Sequence, residues 1–296
     1  MLQRIAVSGS SGLIGGALVA HLKSEGFTVQ RLVRRATVAP DEITWDPKAG
    51  TVDLGALQGV DAVIHLAGAG VGDKRWTRKY KAEILNSRLL GTTTIAHAVA
   101  AVKPQVFICA SAMGWYGETG NRAVTEKDRG GEDFLAAVCR QWEAAADLAG
   151  DVRTVKLRTG LVLDPTGGAL GKMIPLFRFG IGGRLGSGKQ WWSWITLHDV
   201  VRAITFALQN PLAGPINLSA PNPVTNQEFT ACLARSMHRP ALFPVPGLAL
   251  KIAFGGFASE MLGSKKVLPD VLTQAGFMFD YPHVGAAIDA LVDATS

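Results

Sequence analysis

A glycine-rich segment near the amino terminus constrains the fold more than any other feature of the sequence. Gly9, Gly12 and Gly15 lie in the segment GSSGLIGGAL, which directly follows the apolar run RIAVS. Beyond them, apolar residues recur at positions 14, 17, 18 and 22, and this helical pattern closes at Gly26. A strand, a glycine-rich turn and a helix in this order predict the first unit of a doubly wound α/β sheet.

Each glycine of this turn has a separate predicted role. Gly9 makes the tight turn out of the strand, Gly12 lets the backbone approach a pyrophosphate, and Gly15 lets the helix pack on the sheet. The start of the helix then offers N–H groups and partial positive charge to phosphates. We therefore predict dinucleotide binding, with a purely structural turn as the alternative. The residues expected to contact the dinucleotide here are Gly9, Ser10, Ser11, Gly12, Leu13, Ile14 and Gly15.

Strand-like and helix-like segments alternate along the first half of the chain. Short apolar runs predict strands at 27–34, 61–68, 105–111 and 153–160. Longer helical patterns lie between them, at about 76–101 and at 134–149. This alternation predicts an α/β fold with a doubly wound parallel sheet of the Rossmann type.

The pattern changes after residue 165, which predicts a second domain. A Gly-rich segment without a steady period runs to residue 190, and mostly helical segments follow residue 226. We predict a nucleotide-binding Rossmann domain formed by residues 1–165 and 195–222. A smaller, mostly helical C-terminal domain, placed on the substrate side, takes residues 166–194 and 223–296.

Composition excludes several classes of protein. Hydrophobic residues make up 48% of the chain and charged residues 18%, which is typical of a globular protein. No uninterrupted apolar run is long enough to span a bilayer, so we expect no membrane partner. The net charge of +6 is spread without a basic stripe between aromatic residues, so we expect no nucleic-acid partner either. The oligomeric state is left open.

No metal site is expected from the sequence. Cys109, Cys139 and Cys232 are far apart and lack CxxC spacing, which fits a reducing cytoplasm and excludes a disulfide framework. His198 and Asp199 are adjacent, but they stand where a helix of residues 198–208 begins. We therefore interpret Asp199 as the N-cap of that helix.

The end of the second predicted strand indicates which dinucleotide is bound. An NAD-binding protein usually has Asp or Glu at this position, to hold the ribose hydroxyls. Here Val33 takes that position, and Arg34 and Arg35 follow it. An arginine can bind a 2′-phosphate, which a carboxylate would repel. We therefore predict NADP(H) in preference to NAD(H), with an exposed loop arginine as the alternative for Arg35 and, less favoured, for Arg34.

The spacing GxxGxxG and the segment LAG at 66–68 resemble the extended branch of the short-chain dehydrogenase/reductase superfamily, which includes nucleotide-sugar epimerases and dehydratases. The C-terminal half resembles a group of epimerase family proteins with a C-terminal domain of their own. The segments that carry the resemblance are residues 9–15, 66–68, 111–117, 156–163, 191–200 and 265–282.

The resemblance implies further residues near the cofactor. Leu66, Ala67 and Gly68 end a strand at the carboxyl edge of the sheet. Arg88 stands where the family pattern Asn-x-x-Gly-Thr has its Asn, and Glu83 lies a little more than one turn earlier. A solvated helix surface remains the alternative for both. Val162 is a further candidate, near the nicotinamide.

The catalytic Ser-Tyr-Lys triad of the extended branch is absent. Alignment places Ala112 at the serine, Leu135 at the tyrosine and Cys139 at the lysine. Tyr116 is the candidate for another acid, and a packed loop tyrosine is its alternative. Two functions therefore stay open: an NADP(H)-dependent oxidoreductase or epimerase-like enzyme, and an NADP(H)-binding sensor or partner-binding module without turnover.

Residues 164–194 lie where extended-branch enzymes cover their substrate. Trp192 and Trp194 are candidates to stack on a ring of the substrate, or else they seal the junction between the domains. The resemblance suggests a nucleotide-sugar or a similar small molecule with a phosphate group. Candidate partners for such a phosphate are Arg158, Lys172, Arg184 and Lys189.

Overall fold

The computed structural model describes residues 2–241 and 243–294. Its strands are short and fall mostly in the first three quarters of the chain. In chain order they are β1 (Arg4–Ser8), β2 (Thr28–Val33), β3 (Glu42–Asp46), β4 (Thr51–Val52), β5 (Ala62–His65), β6 (Val106–Ala112), β7 (Ala123–Val124), β8 (Arg153–Thr159), β9 (Leu161–Asp164), β10 (Trp191–Trp192), β11 (Trp194–Thr196), β12 (Gly214–Leu218), β13 (Val224–Thr225) and β14 (Lys266–Val267).

Helices separate the strands of the first half and dominate the last quarter of the chain. In chain order they are α1 (Leu13–Ser24), α2 (Leu54–Leu57), α3 (Arg78–Val102), α4 (Phe134–Ala146), α5 (Gly168–Arg178), α6 (Leu197–Gln209), α7 (Asn226–Ser236), α8 (Gly247–Phe254), α9 (Ala258–Leu262), α10 (Asp270–Gln274) and α11 (Val284–Asp293). No helix among the described residues is both long enough and apolar enough to cross a bilayer.

Eight strands form the central sheet, in the order β12-β8-β6-β5-β1-β2-β3-β4. Every neighbouring pair is parallel except the short edge strand β4, which runs antiparallel to β3. From β1 the chain first adds β2 and β3 on one side, and then returns to add β5 and β6 on the other. This reversal opens a crevice at the carboxyl ends of β1 and β5. The predicted doubly wound parallel sheet is confirmed.

Helices cover both faces of the sheet, and the strands are therefore apolar on both sides. Ile5 and Val7 of β1 pack in the core that contains α1 and α6. Ala6, between them, points to the opposite core, which contains α3 and α4. This alternation with a period of two residues explains why the strands read as continuous apolar runs in the sequence.

A smaller helical region forms a third core with residues of α5, α7 and α11. Trp194 and Phe229 are fully buried in this core. The chain then returns to the first domain, where Val267 of β14 pairs with Val124 of β7 in a separate two-stranded sheet. Leu272 of α10 also packs in the core beside α1. The smaller, mostly helical C-terminal region is thus present, and the residue boundaries given for the two domains stay a prediction.

The interpretation of Asp199 as a helix N-cap was wrong. Thr196 is the N-cap of α6, and its side chain accepts a hydrogen bond from the Asp199 amide. Asp199 is fully buried, and its carboxylate accepts the backbone N–H groups of Asp280 and Tyr281. Strand β11 runs on to Thr196, so the helix begins earlier than the sequence pattern indicated, and Asp199 instead anchors the chain near α11.

Candidate functional site

The glycine turn leaves β1 and enters α1 at the crevice. Gly9 has φ +71°, and a Cβ there would lie 2.8 Å from the Ala67 nitrogen in the loop after β5. At Gly15 a Cβ would lie 2.1 Å from the Gly9 carbonyl oxygen. Both glycines are therefore required by the packing of the protein itself.

Gly12 differs from its two neighbours. Its backbone, with φ −80° and ψ 172°, suits any residue, and a Cβ would meet the Gly9 oxygen at an ordinary 3.4 Å. The Gly12 amide donates to the Gly9 carbonyl, and α1 begins at the next residue. The first amides of α1 have no intrahelical acceptor. A structural turn thus accounts for Gly9 and Gly15, and leaves Gly12 unexplained.

A cleft of about 1230 Å³ lies along the carboxyl edge of the sheet, from the glycine turn to β3 and α3. It brings together most of the predicted site residues. These are Gly9, Ser10, Ser11, Gly12, Val33, Arg34, Arg35, Leu66, Ala67, Gly68 and Glu83.

A second cleft of about 310 Å³ lies on the other side of the glycine turn. The predicted residues Leu13, Ile14, Gly15 and Val162 line it, together with Ser111 at the end of β6. Since Gly9 and Gly12 border both clefts, a ligand that spans the turn would reach from one cleft into the other.

The two arginines at the tip of β2 have different surroundings. Arg35 donates to both carboxylate oxygens of Glu42, at 2.6 and 2.9 Å. This contact, helped by the Val38 amide, lowers the pKa of Glu42 to about 2. Arg34 is exposed on the cleft, and it forms no ion pair with any carboxylate among residues 2–241 and 243–294. Arg34 is therefore the guanidinium that remains available to an anion in the cleft.

Arg88 lies behind the cleft and does not line it. Its Nη1 donates to the carbonyl oxygens of Ala69 and Ile84, at 2.9 and 3.1 Å. The guanidinium stacks over Trp142, 4.8 Å from the ring centre, and burial lowers the pKa of Arg88. A Cβ at Gly68 would lie only 3.5 Å from the Arg88 side chain. Arg88 thus supports the loop after β5, which itself borders the cleft.

Tyr116 and Arg158 lie in a buried polar network and line neither cleft. Arg158 forms a two-point ion pair with Glu143, and its Nη1 donates to the Tyr116 hydroxyl at 3.1 Å. That hydroxyl donates to Asn217 at 2.7 Å, and burial raises the pKa of Tyr116 to about 12. The structure thus favours the packed tyrosine over the acid. The structure also argues against the predicted contact between Arg158 and a substrate phosphate, because the Arg158 guanidinium is buried and already paired with Glu143.

Trp194 and Trp192 pack inside the helical region. Trp194 is fully buried, and its Nε1 donates to the Asn222 carbonyl oxygen at 3.1 Å. The ring of the half-buried Trp192 lies 5.3 Å from that of Phe229. Stacking of Trp194 on a substrate is therefore excluded by its burial, and the alternative, that this residue seals the junction between the domains, stays a prediction.

The side chains of His198, Asp199 and Asp280 converge like metal ligands, with their donor atoms within 4.8 Å of one another. Arg202 Nη1, however, lies 2.8 Å from Asp199 and 3.0 Å from Asp280. A guanidinium therefore already supplies the positive charge that these carboxylates need.

Comparison with known proteins identifies the family. Residues 5–219 match the model of the NAD dependent epimerase/dehydratase family. The chain belongs to this family. Residues 245–291 also match a domain of unknown function, DUF1731. The epimerase/dehydratase fold thus takes up about the first three quarters of the chain, and the resemblance to the extended short-chain dehydrogenases is confirmed.

Relatives match over nearly the whole length. The epimerase family protein Mb2239 of Mycobacterium bovis is 45% identical and covers 96% of each chain. A crystal structure of human epimerase family protein SDR39U1 with NADPH has a TM-score of 0.91 at 32% identity, covering 98% of this chain and 99% of that one. A nucleoside-diphosphate sugar epimerase from Corynebacterium glutamicum has a TM-score of 0.81 at 34% identity, covering 97% of this chain and 57% of that one.

In this epimerase/dehydratase family member, apolar packing surrounds the three positions that the resemblance aligns with the triad. Cys139 is buried against Ala112, with its Sγ 3.6 Å from the Ala112 carbonyl oxygen, and burial raises the pKa of Cys139 to about 12. Leu135 packs so closely on Gly114 that a Cβ there would lie 2.9 Å from the Leu135 Cβ. These positions hold the helix α4 against β6; Ala112 and Leu135 carry no ionisable group, and the Cys139 thiol is buried and directed at a backbone carbonyl.

Sequence reasoning missed part of the cleft. Asp46, Pro47 and Lys48 line its far end after β3, and Asp73 and Lys74 line it after β5. The strand Glu42–Asp46 had not been recognised, since it is short and its pattern is weak. This segment follows β2 in the sequence, and that order could have indicated a further strand of the sheet. Ligands lie beyond the carboxyl ends of such strands.

Proposed function

We propose that this chain binds NADP(H) across the two clefts, with the diphosphate against the glycine turn. The observation that carries the proposal is Gly12, which nothing in the protein's own packing requires. A bare backbone at the start of α1 is what the close approach of a diphosphate needs. The NADPH named with the human relative supports the same ligand.

Arg34 is the residue proposed to select NADP(H) over NAD(H). It is exposed in the cleft at the tip of β2, whereas Arg35 is held by Glu42. A guanidinium without a carboxylate partner favours a ligand with a 2′-phosphate. Of the two arginines predicted from the sequence, Arg34 therefore carries this role.

The proposed activity is that of an oxidoreductase or an epimerase-like enzyme acting on a small molecule. A nicotinamide ring bound in the second cleft would supply or accept a hydride beside Val162 and Ser111. The Corynebacterium relative named as a nucleoside-diphosphate sugar epimerase favours a nucleotide-sugar or similar phosphate-bearing substrate. The proton would have to come from a group outside the usual triad.

One observation favours the alternative, a module that binds NADP(H) without turnover. Among the described residues, the second cleft is lined by no titratable side chain. Its hydroxyl at Ser111 already donates to the buried Glu143 carboxylate, at 2.7 Å. A cleft of this kind can hold a nicotinamide ring, but it offers no evident acid or base.

Titration with NADPH and NADH tests the binding proposal. Arg34→Ala should weaken NADPH binding by about 1.5–3 kcal/mol, roughly 10- to 150-fold, and leave NADH binding nearly unchanged. Arg35→Ala is the matched control and should alter the affinity for both dinucleotides only slightly. Equal losses of NADPH and NADH affinity in Arg34→Ala would defeat the assignment of the 2′-phosphate.

A turnover assay separates the two functions. The protein is mixed with NADP⁺ and a panel of nucleotide-sugars, while the absorbance of reduced nicotinamide and the NMR spectrum of the sugar are followed together. A transient absorbance with altered sugar indicates an epimerase-like reaction, and a lasting absorbance indicates an oxidoreductase. Tight NADP(H) binding with neither signal favours the non-catalytic module.

A further inference from the structure

Two segments of the C-terminal half expose large apolar side chains to solvent. One is the end of α5 with the loop after it, and the other is α8 with the residues before it. The six side chains are between 47% and 81% exposed: Leu176, Phe179, Ile181, Phe243, Leu248 and Ile252. We call this set the apolar face. Most large apolar side chains elsewhere in the described chain are buried, so this face needs an explanation.

The two segments lie side by side, although more than 50 residues separate them in the sequence. The Val245 amide donates to the Arg184 carbonyl oxygen at 2.8 Å, and the Gly186 amide donates to the Val245 carbonyl oxygen at 2.9 Å. Just before these contacts, a Cβ at Gly183 would lie only 1.9 Å from the Phe243 carbonyl oxygen. The loop after α5 and the approach to α8 therefore form one continuous surface.

The chain around both segments contains basic residues and no acidic ones. Residues 165–198 and 229–259 contain none of the 24 acidic residues and seven of the 30 Lys and Arg residues of the chain. All seven are exposed. The remainder of the chain has 23 basic and 24 acidic residues, so its net charge is −1. Residues 165–198 and 229–259 thus carry seven positive charges and account for the positive net charge of the chain.

Cations and apolar side chains alternate on the two helices. On α5, Lys172, Leu176 and Phe179 are exposed at intervals of four and three residues, which places them on one side of the helix. On α8, the exposed Lys251 and Ile252 follow the exposed Leu248 by three and four residues, so both lie next to Leu248 on the helix surface. Among the described residues, no carboxylate lies within 4.0 Å of either lysine ammonium.

Exposed apolar side chains next to exposed lysines indicate the chemical class of the partner. An apolar surface beside the exposed Lys172 and Lys251 fits a bilayer with anionic headgroups, since aliphatic and aromatic side chains enter the acyl boundary and the lysines contact the headgroups. A symmetric dimer through the same face would set its cations against each other. We propose that the apolar face binds peripherally to anionic lipid bilayers. The sequence had indicated no membrane partner because no segment spans a bilayer, but a surface contact needs no spanning segment.

Vesicle flotation of the full chain tests this inference. Binding should be strong to phosphatidylcholine vesicles that contain phosphatidylglycerol, weak to phosphatidylcholine alone, and reduced by salt. Lys172→Gln with Lys251→Gln should weaken binding about fivefold for each lysine, roughly 25-fold together. Leu248→Ser with Ile252→Ser should weaken it at least about tenfold.

Matched controls come from the rest of the chain. Met278→Ser removes an equally exposed apolar side chain, and Lys103→Gln removes an exposed cation, both outside the two acid-free segments. Both controls should bind vesicles like the wild type, and all variants should keep the wild-type melting temperature. The proposal is overturned if the face variants bind like the controls or if anionic lipid makes no difference. It is also overturned if sedimentation shows a dimer that Leu248→Ser with Ile252→Ser dissociates, while no variant binds vesicles.

Discussion

Replacing Gly12 with alanine should separate what a ligand requires at the glycine turn from what the fold requires. Its backbone conformation suits alanine, and the new Cβ would meet the Gly9 oxygen at 3.4 Å. Reduced freedom of the unfolded chain favours alanine by about 0.4–1 kcal/mol. Alanine is a poorer N-cap than glycine, which costs roughly 1 kcal/mol in the other direction. The melting temperature should therefore stay within about 4 °C of the wild type.

Affinity for NADPH should respond differently. The methyl group of Gly12→Ala would stand where the diphosphate is proposed to meet the backbone, so the affinity should fall by about 2 kcal/mol or more, roughly 30-fold. Fluorescence titration measures this affinity, and thermal unfolding without ligand measures stability. Two neighbouring glycines of the same turn and helix provide the controls.

Gly15→Ala is the structural control, because its Cβ would lie 2.1 Å from a backbone oxygen. Its unfolding free energy should fall by about 1–3 kcal/mol or more. Gly16→Ala is the silent control: it is exposed within α1, and a Cβ there would have a clearance of 3.7 Å. It should gain about 0.5–1 kcal/mol and bind NADPH like the wild type. Wild-type NADPH affinity in Gly12→Ala, or a loss of stability as large as in Gly15→Ala, would refute the reasoning.

Three further predictions concern buried groups. Arg158→Met leaves the buried Glu143 without its ion pair and should cost about 3–5 kcal/mol in chemical denaturation; the double variant with Glu143→Gln should recover part of this loss, and an additive loss would contradict a coupled pair. Burial lowers the pKa of His65 to about 3, so the unfolded chain binds an extra proton below pH about 6.5. Stability should therefore fall with falling pH by up to about 1.4 kcal/mol per unit, and His65→Gln should flatten this slope between pH about 6.5 and 5, above the range of the carboxylates. Finally, Cys109 and Cys139 are buried with their pKa values raised to about 12, whereas Cys232 is half-buried. A thiol reagent at mildly alkaline pH should label only Cys232 in the folded protein and all three thiols in denaturant, and rapid labelling of Cys139 would contradict its packing.

The sequence by itself determined the parts of this protein that depend on local pattern. The glycine turn, the helix after it and the apolar strands can be recognised in short stretches of sequence. A strand buried on both faces is a continuous apolar run, and an amphipathic helix repeats its apolar residues every three to four positions. These stretches sufficed for the doubly wound sheet and for the part of the main cleft around the glycine turn and the tip of β2. The sequence also shows directly that Ala112, Leu135 and Cys139 stand where the family resemblance would place the serine, tyrosine and lysine of the triad.

Only the tertiary structure decided what depends on contacts between distant residues. Glu42 on the neighbouring strand engages Arg35 and leaves Arg34 without an ion pair. Glu143 and Asn217 draw Arg158 and Tyr116 into a buried network, away from the clefts. The apolar face exists because two segments meet that are far apart in the sequence. Charge pairing, burial and surface continuity are properties of neighbours in space, and a local sequence pattern does not specify them.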